Sequence, residues 1–538
     1  MPVSDQTAVG AELRFATSDF PPLQITVLFL ALLLLTTIPI WTHPLPPLAD
    51  YVNHLARMHV IATGDHDTNL SRYYEIDWQI IPNLMMDLVV PILARATNIY
   101  LAGQIFTVVC FFSIASGVLL LNRSLFGRWS PVPLIALPLL YNHVFLFGVM
   151  NYVFGIGLTL WALSAWILLR ERAWPWRLSV SLLFAFALFF CHLFALGLYG
   201  LGLLASETWR LWCQRHEPVR RRLIEFIACG MPFLFVLPLL LASPTLQLAG
   251  DISWEPRGKL DGLIFVIEAY SDIVALALSA VLGGACAWMV RHRLLHVHPF
   301  GWVLMGMATV VYLLMPRVLF ATYMADQRMP VAVAFMIIAS IDAVLLHREV
   351  RRGFIAILLV LLALRIIEVD VAWAQQSATT REFRQSVRRV KPGAKVLVAY
   401  SGQSGGDDVR DFSLVHAACL AMIERSALVT TAFTVRGKQI LHARPAYERI
   451  VDREDGTPPS IGELVIAGND APDEDETEYW RQWPSRFDYL YVLFTEDDAP
   501  NPDADMLTLL FEGDRFQLYS INSRSLTQGN NITRQPPR

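Results

Sequence analysis

Residues 178–212 read LSVSLLFAFALFFCHLFALGLYGLGLLASETWRLW, and the way this run is divided decides the topology of the whole chain. Taken as one long helix over 178–205, it carries Arg210, Arg220, Arg221 and Arg222 to the side opposite the other basic clusters. Divided at Cys191–His192, it becomes a short ascending half, 178–190, and a descending span, 191–212. Every second connection in the apolar region is then basic, as the retention of Lys- and Arg-rich loops in the cytoplasm requires. Short, broken membrane helices are tolerated where they line a cavity. The divided reading also places His192 near the outer face.

On either side of this hairpin, apolar segments fall at approximately 22–41, 101–121, 131–149, 152–170, 224–243, 270–290, 299–316, 329–346 and 353–368. A span needs about 20 mainly apolar residues, so 22–368 holds about eleven of them. The basic joins are Arg123/Arg128, Arg170/Arg172/Arg177, Arg210 to Arg222, Arg291/Arg293 and Arg348/Arg351/Arg352. The N-terminal tail, 1–21, is therefore cytoplasmic. It lacks the basic region and cleavage site of a signal peptide, so the first apolar segment is read as a retained span. An odd number of spans puts the C-terminal segment outside. In a Gram-negative bacterium that means an inner (cytoplasmic) membrane protein with a periplasmic C-terminal domain.

Composition agrees. Of 538 residues, 54% are hydrophobic and only 17% charged, and the mean hydropathy is +0.43. Soluble domains carry roughly 45–50% apolar and about 25% charged residues. The net charge of −4 implies no nucleic-acid partner. The six cysteines are scattered, with no CxxC or Cys/His spacing, which argues against a structural zinc site or a disulfide framework.

From about residue 369 the hydrophobic density drops. Residues 372–390 are expected to form an amphipathic helix. Lys395–Tyr400, Ala427–Thr434, Phe487–Phe494 and Arg515–Ile521 are expected as strands, and 451–476 as an exposed loop. Together, 369–521 make a soluble α/β domain, followed by a polar, disordered tail, 522–538. Ser401 to Gly406 follows a strand but lacks the Gly spacing and Lys of a phosphate-binding loop, so it reads as a flexible turn. The fold expected is a polytopic α-helical membrane protein with a C-terminal soluble α/β domain.

Candidate functional residues lie at the outer ends. The first outer loop, 42–100, opens with the rigid His43-Pro44-Leu45-Pro46-Pro47. A helix from Asp50 to Thr63, stopped by Gly64, places Asp50, His54 and Arg57 on one face at i, i+4 and i+7, bordered by Asn53. The other face carries Val52, Leu55, Ala56 and Ile61, so the helix is expected at the membrane surface with its polar stripe toward a cavity. The plainer role for Asp50 is to cap that helix. Asp77 and Asp87 lie in the same loop. An aspartate is costly near hydrocarbon, on the order of 2.5–3.5 kcal/mol at a helix centre, so Asp87 faces protein or water, or pairs with Arg95 or another outer Arg. Asn142-His143 and Asn151-Tyr152 flank the turn between the third and fourth spans. Trp254-Glu255 lies in the loop 244–261. Asp326-Gln327-Arg328 precedes the tenth span, with Arg317 at the end of the ninth. Each of these alone is more often structural; their joint placement on one side is the stronger signal.

Sugar transfer from a lipid-linked phosphate to an acceptor hydroxyl needs such a set. A carboxylate takes the acceptor's proton, and Arg stabilises the leaving phosphate through fixed, bidentate donors. Asp50 with Arg328 or Arg317 satisfies that logic. A divalent metal held by Asp and His is the alternative source of positive charge; no other cofactor is implied.

The pattern resembles the GT-C superfamily of polytopic glycosyltransferases, such as the protein O-mannosyltransferase-like and aminoarabinose-transferase-like families. The residues that carry the resemblance are Asp50-Tyr51-Val52-Asn53-His54 after the first span, Cys191-His192-Leu193-Phe194-Ala195-Leu196, and Asp326-Gln327-Arg328. The resemblance covers 22–368 in architecture. It implies a cytoplasmic N-terminus, an essential acidic residue in the first outer loop, and an extracytoplasmic C-terminal domain. The chain departs from it by lacking the Asp-Glu pair common in several member families. Together with the residue chemistry, it implies Asp50 and His54 as catalytic residues. Arg57, Asp77, Asp87, His143, Asn151, His192, Arg317, Asp326 and Arg328 are then the substrate-binding set. The partners implied are a polyprenyl-phosphate-linked sugar, membrane lipid, and a glycan, lipid or protein acceptor. The competing readings are a non-catalytic scaffold of envelope polysaccharide assembly and a flippase or transporter for lipid-linked saccharides. Transporters usually show internal repeats and polar residues through the bilayer depth, and neither is evident here.

Overall fold

A computed structural model describes residues 20–216, 218–248, 252–320, 322–402, 408–454, 457–467, 478–496 and 498–522. Nearly all of the two terminal tails, Gln403–Gly406 of the glycine-rich turn and much of the acidic loop 451–476 lie outside the described residues. The chain forms two compact units, Met1–Leu48 with Gln79–Gln375, and Ala49–Trp78 with Gln376–Arg538.

The first unit is a helical bundle. Among the described residues, five helices are long and apolar enough to cross a membrane: Ile99–Phe126, Met150–Glu171, Trp174–Cys191, Arg222–Ala242 and Asp272–Arg291, the second counted with its 3₁₀ end. Pro22–Thr36 and Pro299–Leu314 are shorter apolar helices. Helices in lipid gain little from hydrophobic burial against one another and pack instead through small residues. Ile99–Phe126 and Met150–Leu168 do so: a Cβ on Gly117 would lie 2.7 Å from Leu160 Cβ, and one on Gly157 would lie 2.3 Å from Ser113 Oγ.

The chain turns back at His192. The residue is extended (φ −168°, ψ 130°) between Trp174–Cys191 and Leu193–Cys213. Its Nδ1 accepts from Phe194 N at 3.2 Å, so the imidazole caps the second helix. The two arms are antiparallel, with Ser181 Oγ 2.7 Å from Tyr199 OH and Arg177 donating to Glu207 at 2.9 Å.

Four expected segments are corrected. Residues 131–149 contain no regular span, only the 3₁₀ helix Val132–Leu139 and the short turn His143–Leu146. Pro131, Pro133 and Pro138 remove amide donors and clash with the preceding turn. Residues 329–346 end as a helix at Ala339 and continue as the strand Ile341–Ala343, paired antiparallel with Leu295–Val297. Residues 353–368 and 372–390 are one continuous helix, Arg348–Val387.

The basic end of the bundle is tied internally. Asn122 Nδ2 donates to Ala339 O at 3.0 Å and Ile341 O at 2.8 Å. Arg128 and Ser130 both donate to Asp342 at 2.6 Å.

The second unit holds a five-stranded mixed sheet in the order Leu428–Val429, Lys395–Tyr400, Tyr489–Leu493, Phe516–Ile521, Leu507–Gly513. The first three strands are parallel and the last two run antiparallel to their neighbours. The two central parallel strands are almost wholly buried, as expected of parallel pairing covered on both faces. Ala49–Trp78 belongs to this unit. Its strand Tyr74–Ile76 pairs with Leu441–Ala443, and its helix Tyr51–Thr63 ends at Gly64, φ 52°. The expected surface-lying, one-sided helix is corrected. Val52, Leu55 and Ala56 on one face and Asn53, His54 and Arg57 on the other are all buried.

Candidate functional site

In the second unit, the start of helix Tyr51–Thr63 forms a cluster with residues far along the chain. Asp50 precedes the helix and makes no side-chain cap hydrogen bond, unlike the usual Asp at that position. Its Oδ1 lies 3.7 Å from His416 Nε2, and 22% of its side chain is accessible. Asn53 is held three ways: Nδ2 donates to Thr431 O at 2.8 Å, Oδ1 accepts from Phe433 N at 3.0 Å, and Nδ2 lies 3.2 Å from His416 Nδ1. The Phe433 ring meets His416 edge-on at 4.9 Å and His54 at 5.5 Å.

The electrostatics follow from enclosure. Burial pushes His416 down to about 4. Burial, with Arg57 and His416 nearby, holds His54 well below the ordinary imidazole range. Both rings are neutral at pH 7. His54 Nδ1 is buried without a hydrogen-bond partner, so His54 acts in this structure as a packed ring. Arg57 is 1% exposed and donates to Gln439 Oε1 at 2.8 Å. Asp77 is half-exposed beside His442, its Oδ2 4.0 Å from Nδ1. His442 Nε2 lies 3.0 Å from Gln439 O, and a carbonyl can only accept, so the proton sits on Nε2 and Nδ1 faces Asp77.

In the first unit, the remaining predicted residues gather at the end opposite the basic joins. Asn151 Oδ1 accepts from Met86 N and its Nδ2 donates to Asn83 O, both at 2.7 Å, so it clamps the start of the helix Met85–Ala96 that carries the buried Asp87. Leu84 N donates to Phe190 O at 2.7 Å. Tyr152 OH donates to Arg328 O at 3.0 Å, and the Tyr152 ring meets His192 at 5.1 Å. His143 stacks on Phe265 with centroids 3.9 Å apart and lies 3.8 Å from Glu268.

Asp326 is 0% exposed and binds two cations, Arg317 Nε at 2.8 Å and Lys259 Nζ at 2.9 Å. Arg317 NH1 also donates to Glu255 at 2.9 Å, and Lys259 donates to Tyr312 O and Met315 O. Arg328 is half-buried, with one nitrogen donating to Tyr323 O at 3.1 Å.

Lys259 and His416 are absent from the sequence-derived set. Neither carries a local sequence signal: Lys259 stands between Arg257 and Asp261 in an ordinary charged stretch, and His416 stands alone between Val415 and Ala417. Among the described residues, no group of three or more His, Cys, Asp or Glu side chains is placed to hold a metal ion.

The fold described above, a helical bundle and an α/β unit, is shared with solved structures of ArnT. The crystal structure of ArnT from Cupriavidus metallidurans bound to undecaprenyl phosphate matches with a TM-score of 0.52 and 11% identity, covering 92% of this chain and 97% of that one. ArnT in the apo state matches at 0.53, with the same identity and coverage. No protein-family model matches the sequence, and no curated protein matches it. The resemblance read from the residues is borne out at the level of the fold.

Proposed function

We propose that the protein is a bacterial inner-membrane glycosyltransferase that moves a sugar from a polyprenyl-phosphate carrier to an acceptor on the periplasmic side. The observation that carries this reading is the fold, shared over nearly the full length with an ArnT that was solved with undecaprenyl phosphate bound. Asp50 is the general base. It removes the acceptor hydroxyl's proton as that oxygen attacks the anomeric carbon. The bond from that carbon to the phosphate oxygen breaks, and the pair of electrons leaves with the polyprenyl phosphate. Supporting this role, Asp50 is partly accessible and makes no cap.

Arg328 offers charge-assisted donors to the phosphate. Asp326, pinned by Arg317 and Lys259, fixes the first turn of helix Ala325–Ala339. Gln327 Nε2 anchors the same turn on Gly258 O at 2.9 Å. In this reading Arg328 contacts donor from a helix turn that Arg317 and Asp326 hold, and His54 packs against Phe433 in the unit that carries Asp50.

The test gives purified full-length protein a panel of polyprenyl-phosphate donors carrying labelled sugar, with and without EDTA. Transfer from at least one donor is expected. Folded protein inert with every donor would contradict the reading and favour a scaffold. The EDTA arm decides whether a divalent metal takes part.

A further inference from the structure

We propose that His416, locked by Asn53 into its Nε2–H tautomer, is a positioning residue that orients the Asp50 carboxylate. The proposal rests on the reading of Asp50 as general base, and it extends the site to a residue of the C-terminal segment.

The tautomer follows from the amide. Asn53 Oδ1 accepts from Phe433 N at 3.0 Å and Nδ2 donates to Thr431 O at 2.8 Å. Turning the amide over would set donor against donor and acceptor against acceptor, so its orientation is fixed. The second Nδ2 hydrogen therefore points at His416 Nδ1, 3.2 Å away. That nitrogen must accept, and a neutral imidazole that accepts at one nitrogen carries its proton on the other. Nε2–H then faces Asp50 Oδ1 at 3.7 Å.

This separation is just beyond a direct hydrogen bond. Catalytic hydrogen bonds commonly tighten only when substrate binds. A neutral donor suits the task. An imidazolium would hold the carboxylate as a strong ion pair and weaken it as a base, whereas a single neutral N–H orients one oxygen without that charge. The ring itself is held edge-on by Phe433 at 4.9 Å. Misplacing a reacting group by about 1 Å can cost about 100-fold in rate, which sets the scale of the effect.

The test measures sugar transfer by the full-length protein with His416→Ala, His416→Gln and Asp50→Asn. His416→Ala is expected to lower kcat by about 10- to 100-fold with the donor KM unchanged. His416→Gln, whose side-chain amide N–H reaches the Nε2 position, is expected to recover most of that loss. A structural role predicts no such rescue. Wild-type turnover by folded His416→Ala, or His416→Gln as impaired as His416→Ala, would overturn the proposal. If Asp50→Asn is inactive while His416→Ala is not, only the positioning role fails. If Asp50→Asn transfers normally, or wild type transfers from no donor, the base assignment fails and this role with it.

Discussion

Two polar clusters, one in each unit, use similar residue types and differ in character. Around Asp326 every charge is answered: two cations bind one carboxylate that is 0% exposed, and Glu255 offsets the surplus. Around Asp50 the nearest imidazole is neutral, no cap is made, and the carboxylate is partly accessible. A closed network of opposite charges holds backbone in place, because removing one member leaves another buried and uncompensated. The comparison separates frame from chemistry, although sequence reasoning grouped the two aspartates together as candidates.

The largest expected effect breaks the frame. Asp326→Ala strands Arg317 and Lys259 and should cost about 3–5 kcal/mol of stability, read as loss of the folded fraction in detergent by thermal unfolding. If Asp326→Ala unfolds like wild type, the closed cluster is not structural.

The pH dependence comes next. The imidazole of His416 drops from 6.5 to about 4 on folding, so between those values the unfolded chain binds the extra proton. Its contribution is therefore complete above about pH 6.5 and declines as pH falls toward 4, by on the order of 3 kcal/mol. Hydrogen exchange in 49–63 and 408–434 of the full-length protein should accelerate over that window, while 317–328 changes less. Equal acceleration in both regions would erase the contrast.

Arg328→Ala should reduce transfer by about 100-fold and leave stability nearly unchanged, since its side chain is only half-buried. A large loss of stability would move Arg328 into the frame beside Arg317.

Much of this architecture is legible in the residues. The turn at His192 follows from the alternation of arginines, and the stop at Gly64 from a glycine able to take φ 52°. Three of the sheet's strands, Lys395–Tyr400, Tyr489–Leu493 and Phe516–Ile521, lie where apolar runs between turn residues place them. The failures have physical causes. Residues 131–149 have the hydropathy of a span, but three prolines outweigh it. Tyr74–Ile76 and Leu441–Ala443 are too short to show an alternation, and each is a strand only because the other pairs with it. His416 and Asn53 are 363 residues apart, and no local periodicity encodes a contact at that separation. The sequence placed Asp50, His54 and Arg57 on one helical face, but could not show that Arg57 is enclosed by Gln439 while Asp50 stays accessible.

The most direct measurement compares labelled-sugar transfer by wild type and Asp50→Asn, each checked for monodispersity and unfolding temperature. The account predicts a loss of at least about 100-fold with an unfolding temperature close to that of wild type. Undiminished transfer by the folded variant would contradict it.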